Sequence, residues 1–153
     1  MNLLTASISI SSLTLVISII KFAFPNVFVE RAKKKAMLHW DEALTEIEIN
    51  TIKSYTRMSG LINLLFSAIF IIFGVHILLY GVAWFGADLD EYITVFAGIA
   101  ILTFVCGIYY IAILPAIRVR CGILREAGMI RRLGLDHFLI TVSCVMLLME
   151  LMR

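Results

Sequence analysis

Charged side chains are scarce in this sequence. Asp, Glu, Lys and Arg together account for 16% of its 153 residues, whereas hydrophobic residues account for 61%. A typical soluble domain carries about 25% charged residues, which help to cover a surface that faces water. The composition therefore excludes an ordinary soluble domain, and we expect most of the exterior of this chain to face lipid.

Motifs that carry common catalytic or metal chemistry are absent. The sequence has no Walker loop, no HExxH and no Gly-x-Ser-x-Gly. The three cysteines, Cys106, Cys121 and Cys144, form no CxxC pair, so neither a disulfide framework nor a zinc site is predicted. His76 and His137 are expected at different depths in a membrane, which argues against both binding one haem. We therefore expect a protein that is not an enzyme and that holds no metal and no cofactor.

Long apolar runs without formal charge dominate the sequence instead. A helix rises about 1.5 Å per residue, so about 20 apolar residues cross a hydrocarbon core roughly 30 Å thick. The expected spans are residues 3–24, 59–84, 93–117 and 133–152. The last is the weakest, because Asp136 lies near one end and Glu150 near the other. We predict an all-α polytopic membrane protein, a single membrane domain over residues 1–153 with four transmembrane helices, or three if the last run does not cross.

The distribution of basic residues predicts an orientation. Of the 13 Lys and Arg residues, seven lie at or between the first two spans, five lie between the last two, and only Arg153 lies on the other side. Loops on the cytoplasmic side are enriched in Lys and Arg. We therefore expect both termini outside the cytoplasm, and the bacterial inner membrane is the expected location.

The two longer connections are predicted to lie in the cytoplasm. Residues 28–57 are predicted to be helical, because the apolar positions from Met37 to Tyr55 recur every three or four residues. The sequence thus predicts a long amphipathic cytoplasmic helix between spans one and two. Residues 118–132 form a basic loop with five arginines and one glutamate.

These connections supply the candidate docking site. We interpret one apolar and one basic group of residues as a surface for a soluble cytoplasmic protein, namely Trp40, Leu44 and Ile47 with Arg118, Arg120, Arg125, Arg131 and Arg132. The basic loop has an alternative partner in the acidic residues 41–48 of the same chain. Nucleic acid is not predicted as a partner, because a basic loop beside a membrane is already accounted for by lipid headgroups.

A stripe of small and polar residues marks the first two spans. Ser7, Ser11, Thr14 and Ser18 recur at spacings of four, three and four, which places them on one helical face. The second span adds Asn63, Ser67, Gly74 and His76 as candidates for the same region. Such residues let helices approach closely and hydrogen-bond across the contact, but they also line polar pores. The stripe is therefore either a helix-packing surface or a pore wall.

Two functions fit these features. The first is a non-enzymatic membrane subunit that anchors or signals to a soluble cytoplasmic partner, for example a sensor in a bacterial defence or signalling system. A homo-oligomer is expected, because so short a four-helix chain gains a larger buried core from neighbours. The alternative is a small homo-oligomeric ion channel or transporter with a path lined by hydroxyl groups.

Overall fold

A computed structural model describes residues 2–153, and all regular structure within that range is helical. The α-helices are α1 (Leu3–Ala23), α2 (Pro25–Trp40), α3 (Glu46–Tyr80), α4 (Leu89–Ile108), α5 (Leu114–Arg120), α6 (Gly128–Arg131) and α7 (Asp136–Leu151). Short 3₁₀ turns cover Val82–Asp88 and Arg132–Gly134, and a π-helical turn, Tyr109–Ile113, joins α4 to α5. The prediction of an all-α fold is confirmed.

Four stretches of this helical chain are long and apolar enough to cross a membrane. They are Leu3–Ala23, Glu46–Tyr80, Val82–Arg120 and Gly128–Leu151. The last begins well before residue 133, because α6 and the following 3₁₀ turn extend it towards the N-terminus. The structure therefore contains four such stretches rather than three. The predicted basic loop is correspondingly shorter, since α5 continues to Arg120 and α6 starts at Gly128.

The helix predicted over residues 28–57 is divided in the structure. Helix α2 ends where Asp41 adopts a left-handed conformation, with φ of 52°. Helix α3 then starts at a capping box, in which the Thr45 side chain accepts from the Glu48 amide and the Glu48 carboxylate accepts from the Thr45 amide. The apolar periodicity continued across this break and concealed it. The second half of the predicted cytoplasmic helix is instead continuous with the second apolar run, in one helix of 35 residues.

The four long elements form an antiparallel bundle with α1 packed against both α3 and α7, and α7 packed against α4. We call one end of this bundle the basic end, because it carries Lys21, α2, the start of α3, and the segment from α5 to α6. Its apolar core includes Val29, Ile52, Tyr110, Leu124 and Ile130. The core of the rest of the bundle includes Leu4, Phe70, Phe96, Ile140 and Leu147.

Gly60 permits a close approach between the backbones of α1 and α3. A Cβ atom at this position would lie 2.9 Å from the Ser18 carbonyl oxygen and 2.9 Å from the Phe22 amide nitrogen. Both are backbone atoms, so a side chain at residue 60 displaces a whole helix. Gly98 on α4 is different, because a Cβ atom there meets no described atom within 4 Å.

We predict that Gly60→Ala lowers the free energy of unfolding by about 1–3 kcal/mol, because overpacking forces the α1 and α3 backbones apart. Gly98→Ala is the matched control, and it should be neutral or stabilising by up to about 1 kcal/mol, since alanine is the better helix former. Both changes in the free energy of unfolding are measured by denaturant unfolding of the purified protein in detergent. Equal effects of the two substitutions would contradict the close α1–α3 contact.

Candidate functional site: buried polar groups and the basic end

The predicted hydroxyl stripe lies inside the bundle. Ser7, Ser11, Thr14 and Ser18 are all fully buried on the face of α1 that packs against α3 and α7. Two of them share one partner on α7, Ser143. The Ser7 and Ser11 hydroxyl oxygens lie 2.8 Å and 2.6 Å from the Ser143 hydroxyl oxygen. The Ser143 hydroxyl also hydrogen-bonds with the Ser7 carbonyl, at 2.9 Å. At this level the stripe contacts a helix of the same chain.

The other two hydroxyls of the stripe bond within α1. Thr14 donates to the Ile10 carbonyl at 2.7 Å, and Ser18 donates to the Thr14 carbonyl at 2.6 Å. These bonds satisfy the hydroxyl donors without a neighbouring helix. Because these side chains are small and bond to their own helix, the backbone of α3 can approach α1 closely at Gly60.

The candidates on α3 separate into two groups. Asn63, Ser67 and Gly74 lie on its buried face, and Gly74 packs against the Ile8 side chain of α1. The side-chain polar atoms of Asn63 and Ser67 have no hydrogen-bond partner within residues 2–153. His76 does not join this face, because two residues along a helix correspond to a rotation of about 200°. Its ring instead packs against aromatic neighbours, with a centroid 4.3 Å from that of Trp84.

A buried ion pair extends the stripe at the basic end. Lys21 Nζ lies 2.7 Å from Asp136 Oδ1, with only 4% and 5% of the two side chains exposed. Lys21 also donates to the Leu133 carbonyl. Sequence spacing indicates the helical face on which each residue lies, although it does not specify that the two residues pair. Lys21 follows Ser18 by three residues and so continues the hydroxyl stripe, while Asp136 lies seven residues before Ser143 on α7. From the sequence alone, Lys21 counts only among the basic residues that predict the orientation.

Polar and aromatic groups from α3, α7 and the π turn surround the ion pair. The Ser59 hydroxyl donates to the Leu133 carbonyl at 3.3 Å and lies 3.4 Å from His137 Nε2. The His137 ring packs against the Tyr110 ring, with centroids 4.7 Å apart. We call Lys21, Ser59, Asp136 and His137 the polar layer. It joins α1, α3 and α7 at one level, so loss of one member is expected to affect all three contacts.

The junction between α4 and α5 is tied to the same region. In the π turn the Leu114 amide bonds to the Tyr109 carbonyl, and Pro115 has no amide hydrogen to donate. Two carbonyl groups are therefore left without these helical donors. Tyr55 of α3 donates its hydroxyl to the Tyr110 carbonyl at 2.5 Å, and Arg131 Nε donates to the Ile111 carbonyl at 3.2 Å. Arg131, predicted as a docking residue, thus hydrogen-bonds within its own chain.

Arg125 also contacts its own chain. Its guanidinium lies 2.7 Å from Glu42 Oε2 and 3.2 Å from Glu48 Oε1, and it donates to the Ala43 carbonyl at 2.9 Å. The basic segment therefore meets the acidic residues 41–48, which are the alternative partner that the sequence predicts. This contact holds the start of α3 against the connection between α5 and α6.

The remaining docking candidates are distributed over different surfaces. Leu44 is buried in the core of the basic end, so it is not accessible to a partner. Ile47 and Arg118 line a groove of about 450 Å³ between the start of α3 and α5. Trp40 and Arg132 line a separate groove of about 340 Å³ beside α2. Arg120 is exposed and takes part in no ion pair within residues 2–153.

Comparisons add no functional information to this geometry. No known protein family matches the chain, and neither a curated protein nor a solved structure matches it. Across residues 2–153, no group of three or more His, Cys, Asp or Glu side chains is arranged to hold a metal ion.

We predict that Asp136→Asn lowers the free energy of unfolding by about 3–5 kcal/mol, because it leaves the buried Lys21 without its charge partner. The double variant Lys21→Met, Asp136→Leu should recover most of this loss, since an apolar pair removes both buried charges. The measurement is denaturant unfolding in detergent.

The exposed Lys33–Glu30 pair provides the control for this prediction. It has the same 2.7 Å separation, but its side chains are 42% and 61% exposed. Glu30→Gln should therefore change stability by about 1 kcal/mol or less. An Asp136→Asn effect no larger than that of Glu30→Gln would contradict a structural role for the buried pair.

Proposed function

We propose that this chain is a non-enzymatic, oligomeric integral membrane subunit that anchors or signals to a soluble cytoplasmic protein. In this proposal the four apolar stretches cross the bacterial inner membrane, the basic end lies in the cytoplasm, and both termini lie outside. The four helices of suitable length and the concentration of Lys and Arg at one end support this placement. The observation that carries the proposal is the continuity of α3.

Helix α3 is longer than a membrane requires. Its 35 residues correspond to about 52 Å, whereas a hydrocarbon core is roughly 30 Å thick. The uncharged part begins after Arg57, so residues 46–57 are expected to project beyond the bilayer. One continuous helix thus connects Gly60 and Gly74, at the contact with α1, to the part expected outside the membrane.

That outer surface has the character of a docking site. Ile47 is 65% exposed although it is aliphatic, and it lines the groove of about 450 Å³ with Met58 and Leu114. Arg118 provides a positive charge at the same groove. The groove also presents the polar side chains of Asn50, Thr51 and Ser54. Aliphatic side chains beside polar groups and an arginine favour a partner that presents an aliphatic side chain next to an acidic one.

The continuity of α3 also gives a physical route for signalling. A shift of α1 relative to α3 acts at Gly60, and the Tyr55 hydroxyl connects the same helix to the Tyr110 carbonyl beside the groove. A disturbance of the membrane-embedded contact would therefore change the geometry of the groove. A membrane sensor in a bacterial defence or signalling system is the form of the proposal that uses this route.

A second candidate function is a small channel. It is favoured by Asn63 and Ser67, whose buried polar atoms have no hydrogen-bond partner within residues 2–153. The hydroxyl stripe gives this candidate less support than it did from sequence, because Ser7 and Ser11 bond to Ser143 of the same chain. Ion flux through liposomes that contain only this protein distinguishes a channel from a docking subunit.

We predict that affinity purification of the detergent-solubilised protein recovers a soluble partner in constant ratio to an oligomer of this chain. The double variant Ile47→Ser, Arg118→Ser should retain this partner at least about tenfold less, because central apolar and arginine side chains dominate interface energies. The partner ratio is measured by mass determination of the eluted complex.

Leu38→Ser is the control, since Leu38 is 85% exposed at the basic end but does not line the groove. It should retain the partner as the unmodified chain does. Recovery of the chain without any soluble partner, or equal loss in both variants, would contradict docking at this groove.

A further inference from the structure

A second, strongly basic groove lies between α2 and the turn that follows α6. Arg31 and Lys35 of α2 line one side, Arg132 lines the other, and Trp40 lies at the same groove. None of these three cations forms an ion pair with any residue in the range 2–153. Among the residues that the structure describes, no acidic side chain lines the groove. Three like charges in one groove of about 340 Å³ repel each other, so an anion between them would be strongly favoured.

This basic groove continues into an apolar one. A neighbouring groove of about 390 Å³ shares Phe28, Arg132 and Leu133 with it. Ile17 of α1 and two exposed leucines also line it. Leu135 directly precedes α7, and Leu139 lies on α7. Lys21 and Asp136 also line it, but they neutralise each other at 2.7 Å. The second groove is therefore apolar in character and follows the long helices away from the basic end.

We propose that the two grooves together bind one anionic phospholipid. Its phosphate lies between Arg31, Lys35 and Arg132, and one acyl chain follows Ile17, Leu135 and Leu139. The proposal rests on the membrane placement proposed above, which puts the basic groove at the level of the cytoplasmic headgroups.

The combination of the two grooves distinguishes a lipid from other anions. A free phosphate or an acidic peptide would use the three cations but leave the exposed Leu135 and Leu139 uncovered. A phospholipid carries an anionic group and an apolar chain in the same order as the two grooves present them. Basic sites between helices at the cytoplasmic surface have this character in membrane proteins, and tryptophan is enriched at the same level.

The test is native mass spectrometry of the purified protein in detergent, titrated with dioleoyl phosphatidylglycerol or dioleoyl phosphatidylcholine. We expect one phosphatidylglycerol molecule to be retained per chain, in preference to phosphatidylcholine. The variant Arg31→Gln, Lys35→Gln, Arg132→Gln should weaken this retention at least about tenfold, because each base near a headgroup contributes to binding.

The matched control is Lys34→Gln, Arg57→Gln, Arg120→Gln. These three bases are exposed at the same end of the chain and have no ion pair within residues 2–153. The control removes the same net charge outside the groove, so it should retain phosphatidylglycerol within about threefold of the unmodified protein. Equal loss in both triple variants would overturn the site in favour of general charge attraction.

Two further results would overturn the proposal. Equal retention of phosphatidylglycerol and phosphatidylcholine would show that the three cations do not select an anionic lipid. Displacement of the lipid by inorganic phosphate would show that the groove binds a free anion instead. Circular dichroism shows whether each variant remains folded. Resistance of the chain to carbonate extraction from membranes tests the membrane placement separately, so its failure is distinguishable from failure of the lipid site.

Discussion

Polar groups buried along one face of α1 determine how the helices of this protein pack. An apolar environment offers them no water, so each must find a partner inside the chain or remain costly. Near the start of α1, Ser7 and Ser11 hydrogen-bond to Ser143 of α7. Near the end of α1, Lys21 forms an ion pair with Asp136 of α7. These two points fix the register between the helices, because a slip of one turn, about 5.4 Å, would break both.

Helix α3 transmits this arrangement to the basic end. Gly60, at its close contact with α1, directly follows Ser59, whose hydroxyl donates to the same Leu133 carbonyl that Lys21 uses. About one further turn along, Tyr55 bonds to a carbonyl exposed by the π turn. The basic end is held as well by Arg125, which contacts Glu42 and Glu48. The proposed docking groove and the proposed lipid groove share no lining residue, but both lie at this interconnected basic end.

The sequence predicted the features that depend on long patterns. Apolar runs of sufficient length indicated the four long helical stretches, and the spacing of Ser7, Ser11, Thr14 and Ser18 indicated a shared face. Local backbone signals were harder to read, because apolar periodicity continued through residues 41–45 although Thr45 and Glu48 form a capping box. The pairing of Lys21 with Asp136 depends on which helices become neighbours, and a single sequence does not contain that information. The two grooves depend on tertiary packing in the same way.

The packing of this bundle depends on Ser7 and Ser11 of the hydroxyl stripe facing α7 of the same chain, and a disulfide test measures this most directly. In a protein whose three native cysteines are replaced by alanine, Ser7→Cys and Ser143→Cys should form a disulfide within one chain on mild oxidation, because their hydroxyl oxygens lie 2.8 Å apart. Ser9→Cys with Ser143→Cys is the control, and it should remain reduced, since Ser9 is exposed on another face. We expect a monomer without free thiols on a non-reducing gel. Disulfide-linked dimers of the Ser7, Ser143 variant, or thiols that stay reduced, would contradict it.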